Sequence, residues 1–173
     1  ALSTQNEPPQ SASKPFSKNR DGFVMAEGAG AMVLESYESA MARGATILGV
    51  VAGCGELTDS FHRTRSSPDG KPIIGCIANA INDAGLTPND IDYINAHASS
   101  TQLNDSTETF SIRQVFGAHA DKIPISGTKP YTGHPLGATG AIEAALCALT
   151  IERGWIPPTL NWENFDPACD LDV

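Results

Sequence analysis

The sequence predicts an α/β layered fold, and three observations carry that prediction. Short apolar runs alternate with segments of helical period along most of the chain. Glycine or proline punctuates nearly every junction between them. The helical segment at residues 136–153 contains a stretch, 141–151, that is apolar nearly all round, the mark of a helix buried between layers. The 173 residues are enough for one medium domain with a core.

The elements follow in order. Residues 1–21, rich in Ser, Pro, Asn and Lys, read as an irregular surface segment. An apolar stretch starts at Gly22, is interrupted at Gly28 and Gly30, and resumes at 31–35 as a buried strand. Ser36 is suited to cap a short helix that Gly44 stops. A second strand is expected at 47–52 and a loop at 53–70. Residues 71–84 are helical, with Ile73, Ile77, Ala80 and Ile81 on one face and Gly85 as the stop. A turn at Thr87–Asp90 leads to a strand at 91–96. A helix is expected at 105–116, a strand at 123–126, and then a glycine-rich loop before the 136–153 helix. Beyond Gly154 the chain is proline-rich and extended.

Bulk properties narrow the function classes. A formal charge of −9 argues against general nucleic-acid binding, which needs basic charge against phosphates. Small basic groups do occur around Lys14, Lys18 and Arg20, and around Arg63, Arg65 and Lys71. No apolar run approaches the roughly 20 residues that span a bilayer. The four cysteines, Cys54, Cys76, Cys147 and Cys169, form no Cys-x-x-Cys pair and fit reduced thiols in a cytosol-like compartment, with Cys54 and Cys147 expected in the core. Asn104-Asp105-Ser106 matches a glycosylation sequon by coincidence. The opening at Ala1 without Met suggests a processed or truncated chain, and no signal peptide is expected.

His97 and His134 are the candidate functional residues. His97 ends a strand, where open α/β sheets place their chemistry, and is followed by Ser99, Ser100 and Thr101. His134 lies in a glycine-rich loop before a helix, five residues after Lys129. Imidazole N–H groups, backbone N–H groups and a lysine field together suit an enolate or a tetrahedral alkoxide. Two plainer readings stay open: a loop histidine beside capping hydroxyls, and a glycine-rich turn for tight packing. The loop lacks a Walker or dinucleotide signature, and no Gly-x-Ser-x-Gly elbow occurs. A metal held by both histidines and a carboxylate also stays open, although neither shows the spacing of a strong metal signal. Glu143, a charge on the apolar helix, needs a partner, and Lys129 is the candidate. Asp105 and Glu108 share a helix face, either against the helix dipole or behind His97.

Three motifs then give a resemblance. Phe16 to Val24 with Glu27-Gly28-Ala29-Gly30, Asn95-Ala96-His97 with Ser100-Thr101 and Asn104-Asp105, and Gly127-Thr128-Lys129 through Gly140 with Glu143-Ala144 resemble the β-ketoacyl-[acyl-carrier-protein] synthases, elongating condensing enzymes of the thiolase-like superfamily. Pro157 to Asn161 and Cys169 to Asp172 match the family's late segment.

The resemblance implies a partial C-terminal half, residues 1–173, of an αβαβα homodimeric enzyme. It implies decarboxylative Claisen condensation of an acyl-enzyme thioester with malonyl carrier protein in fatty-acid elongation. It assigns His97, His134 and Lys129 to catalysis, with Glu143, Asp105 and Glu108 in support. Ser99, Thr101 and Thr64 are assigned to the phosphopantetheine arm. It implies no metal and no cofactor of the protein's own, since phosphopantetheine arrives on the acyl carrier protein. The expected partners are that carrier protein and the N-terminal half of the synthase, with no nucleic acid and no membrane span. The expected location is cytoplasmic, or plastid or mitochondrial for an organelle pathway. Ala98 and Ser99 stand where the family commonly has Gly-Thr, and Pro130-Tyr131 where it has Ser-Met. None of the four cysteines has the family nucleophile's Asp-Thr-Ala-Cys context, so the isolated chain is expected to be inactive in condensation. The alternatives are a non-catalytic chain-length partner subunit, a polyketide ketosynthase fragment and a metal hydrolase.

Overall fold

The computed structural model describes residues 2–173. Its centre is a parallel pair of short strands, β1 (Ile94–Ala96) and β2 (Ile125–Gly127), in the register Ile94 to Ile125, Asn95 to Ser126 and Ala96 to Gly127. The helix α3 (Gln102–Phe116) lies between them in sequence, as a parallel connection requires. The other helices are α1 (Tyr37–Ala42), α2 (Lys71–Asp83), the single turn α4 (Lys129–Thr132) and α5 (Thr139–Arg153).

Local chemistry sets the helix ends. Ser36 caps α1 by accepting from the Ser39 N–H, as its position predicted. Thr101 accepts from the Asn104 N–H and so starts α3 three residues before the expected Asp105. α5 starts at Thr139 instead of 136, because Leu136 takes a left-handed φ of 48° and residues 136–138 form a 3₁₀ turn.

Phe16, Ala96, Ile112, Phe116, Ile123, Ile125, Cys169 and Leu171 form the core under α3 and the strand pair. Four expectations need correction. The segment 1–21 is not all surface: Phe16 and Arg20 are among the most buried side chains, and 13–17 lies almost wholly inside. Residues 31–35 and 47–52 are not strands, and Val33, Leu34, Val50 and Val51 are exposed. A strand needs a hydrogen-bonded neighbour, and no described residues pair with either segment. The loop that follows the second segment lies against α2, so close that a Cβ at Gly53 or Gly55 would strike the backbone of Ala80 or Cys76. The third concerns α5, which is not enclosed: Leu149 and Ile151 face outward, and no described element covers that side. Finally, Cys54 is exposed and Cys147 half-buried, and the core thiol is Cys169.

Candidate active site

Both histidines sit just beyond the carboxyl ends of the parallel strands. β1 ends at Ala96 and delivers His97; β2 ends at Gly127, and α4 then carries the chain from Lys129 to His134. The backbone of His134 is tied to the 23–26 segment, donating to Val24 O at 2.7 Å and accepting from Ala26 N at 3.2 Å. The two imidazoles meet edge to face with centroids 5.3 Å apart, and Phe23 packs on His134 at the same separation.

A cavity of about 460 Å³ opens on this pair. His97, His134, Ser99, Thr101 and Thr64 all line it, as do Asp21, Phe23 and Arg65. Of the residues singled out from sequence, Lys129, Glu143, Asp105 and Glu108 do not line it. They stand behind the wall.

Their contacts show what that rear layer does. The buried Lys129 ammonium donates to the carbonyl of His97 and to Glu143 Oε1, the latter at 2.6 Å. The Glu108 carboxylate accepts from the backbone N–H of His97 at 2.6 Å and of Ala98 at 2.8 Å. Asp105 accepts from Phe16 N at 3.0 Å and faces the Arg20 guanidinium at 3.6 Å. Arg20 also donates to the carbonyls of Thr101, Gln102 and Ser17 and to Asp166. It thereby ties the loop after His97 to two distant segments. Arg20 lies inside the Phe16 to Val24 motif, but nothing local in the sequence signals this role.

The electrostatics favour neutral imidazoles. Desolvation first, then the charge of Lys129 and the neighbouring His134, lowers the His97 pKa to about 4. Desolvation and Lys129 shift His134 the same way. Desolvation raises Glu108 to about 7, with Asp105 adding to the rise and the two backbone donors opposing it. The tautomer of His134 is set by its neighbours. Its Nδ1 lies 3.3 Å from the Leu136 N–H, which can only donate, so Nδ1 accepts and Nε2 carries the proton. Thr139 Oγ1, 3.1 Å from the same nitrogen, is free to donate as well. A neutral N–H donor without charge of its own suits an oxygen that becomes negative during reaction.

No cluster of metal-ligating side chains occurs among the described residues. None of the four cysteines lines the cavity. Burial pushes the thiols of Cys147 and Cys169 up, the latter to about 11, away from nucleophilic activation.

Comparison with known proteins gives the context. The family described as beta-ketoacyl synthase, C-terminal domain, matches residues 48–163, and the corresponding N-terminal domain matches residues 1–40. A 3-oxoacyl-[acyl-carrier-protein] synthase 2 of a Synechocystis strain is 51% identical over 99% of this chain and 41% of its own length. An actinorhodin polyketide putative beta-ketoacyl synthase 1 of Streptomyces coelicolor is 44% identical over 99% of this chain and 37% of its own. Among solved structures, a type II polyketide acyl carrier protein in complex with its ketosynthase matches at TM-score 0.96 and 45% identity, covering 99% of this chain and 42% of that one. The chain thus spans about two-fifths of the length of the curated relatives it matches.

Proposed function

The chain belongs to the β-ketoacyl synthase family and has part of its thiolase-like fold, and from that premise we propose that it supplies the decarboxylating side of a 3-oxoacyl-[acyl-carrier-protein] synthase. The observation that carries this reading is the pairing of His97 and His134 on one cavity, with His134 fixed as an Nε2–H donor. Malonyl thioester, held on the phosphopantetheine arm of an acyl carrier protein, places its thioester oxygen between the two imidazoles. The bond to the carboxylate breaks, carbon dioxide leaves, and its electron pair becomes the enolate that both N–H groups stabilise. The enolate carbon then attacks an acyl thioester on a cysteine of the N-terminal half, and the cysteine thiolate departs.

Ser99, Thr101 and Thr64 hold the arm. Lys129, behind the wall, fixes the His97 carbonyl and acts as a positioning group with Glu143, while Glu108 and Asp105 fix the loop itself. The assembly is a cytoplasmic or organellar homodimer with no resident cofactor. Fatty-acid elongation is the primary reading, and the polyketide relatives support the same reaction with a different acyl chain. A purely non-catalytic partner has no chemical need for His97, His134 and Lys129 in this arrangement.

The test is to give the 173-residue chain acyl and malonyl carrier proteins. The proposal expects no acyl group on any of its cysteines and no condensation product, with both restored by addition of the N-terminal half. Acyl loading or condensation by the chain alone would contradict it.

A further inference from the structure

Beside Thr64, the cavity holds two residues that the proposed chemistry does not use, Arg65 and Ser66. All three line it together with the histidines. Arg65 is exposed and, among the described residues, makes no ion pair or hydrogen bond, whereas Arg20, Arg43 and Arg113 are each paired with carboxylates. Asp21 is the one carboxylate among the described lining residues, and its oxygens are engaged elsewhere, by Ser3 Oγ at 2.7 Å and by Thr4 N and Oγ1 at 2.9 and 3.0 Å. The loop that carries Arg65 is pinned without the arginine: Asp59 accepts from Phe61 N at 3.0 Å and from Ser67 N and Oγ at 2.7 and 2.8 Å. A chain of net charge −9 therefore presents an uncommitted guanidinium on an anchored loop at the cavity.

We propose that Arg65 binds the phosphate through which the pantetheine arm is joined to its carrier protein. This inference rests on the reading of the cavity given under the proposed function. Along the arm, the phosphate is the anionic group; the amides need only hydrogen-bonding partners such as the hydroxyls of Ser99 and Thr101. A guanidinium fork matches phosphate oxygens in pairs, which an ammonium or hydroxyl does not. The arm is then held at three points: the thioester by imidazoles, the middle by hydroxyls and the outer end by Arg65.

The test is calorimetric titration of the 173-residue chain with pantetheine and with 4′-phosphopantetheine, repeated on Arg65→Gln and on Arg63→Gln. Arg63 does not line the cavity and controls for general charge. The expected result is roughly tenfold tighter binding of the phosphorylated ligand, about 1.4 kcal/mol, to the unmodified chain and to Arg63→Gln. Arg65→Gln should reduce that ratio to near one while leaving pantetheine affinity unchanged. Equal binding of the two ligands by the unmodified chain, or an equal loss in both variants, would overturn the assignment of Arg65 and leave the arm site standing. Binding of neither ligand would overturn the arm site and this inference with it.

Discussion

Leu136 donates its backbone N–H to Nδ1 of His134 from a left-handed conformation, φ 48°. A non-glycine residue there is strained by roughly 1 kcal/mol or more. That strain accompanies a fixed tautomer. We expect the ¹⁵N spectrum of His134 to show a protonated Nε2 and a bare Nδ1 near neutral pH. Leu136→Gly keeps the donor, relieves the left-handed strain and should preserve that pattern. A protonated Nδ1 in the unmodified chain would refute the assignment.

Lys129 and Glu143 form an ion pair with the lysine inside the protein and the glutamate partly enclosed. Removing one member leaves a charge without its partner. Lys129→Met should therefore cost about 3–5 kcal/mol in urea unfolding, and adding Glu143→Gln should recover part of it. Equal losses in the single and double variants would show that the pairing is not what the lysine contributes.

Two buried groups give stability opposite pH dependences, and their windows overlap between about pH 4.5 and 6.5. His97 has a folded pKa of about 4 against 6.5 unfolded, so its contribution is present above 6.5 and lost as pH falls toward 4. Glu108 has a folded pKa raised to about 7 from 4.5, so its contribution is present below 4.5 and lost as pH rises through 7. From pH 5 to 8 the two changes largely offset each other in the unmodified chain, and denaturation midpoints of Glu108→Gln should fall more steeply toward pH 5, where the His97 loss is no longer offset. The same pH profile in Glu108→Gln as in the unmodified chain would contradict the role given to Glu108.

Thr101 has two separable duties. Its hydroxyl accepts from Asn104 N–H to cap α3 at 3.2 Å and also stands 3.0 Å from Ser99 Oγ on the cavity. Thr101→Val should cost about 1 kcal/mol of stability through the lost cap. Ser99→Ala, which removes no cap, should weaken pantetheine binding with little change in unfolding. If Ser99→Ala destabilises as much as Thr101→Val, the division is wrong.

The parts of the site legible in the sequence were those with local causes. Ser36 and Gly44 delimit α1, and His97 and His134 fall at strand ends where the alternation of elements puts them. Pairing Lys129 with Glu143 was likewise readable, because a lone acid on an apolar helix needs a cation. The misreadings at 31–35 and 47–52 share one physical reason. Apolar content marks a segment for burial, but strand formation depends on a neighbour that a local pattern does not reveal. Arg20 was missed because its partners, Thr101, Gln102 and Asp166, are distant in sequence, and polarity alone made segment 1–21 read as surface. Asp21 and Phe23 reach the cavity by the same long-range route.

In the proposed function, His97 and His134 together stabilise the enolate formed from a malonyl thioester. The most direct measurement is conversion of malonyl carrier protein to acetyl carrier protein by the 173-residue chain, compared with His97→Ala and His134→Ala. Release of carbon dioxide by the unmodified chain is expected, with a loss of about 10²-fold or more in each variant. Decarboxylation at the unmodified rate in either variant would contradict it.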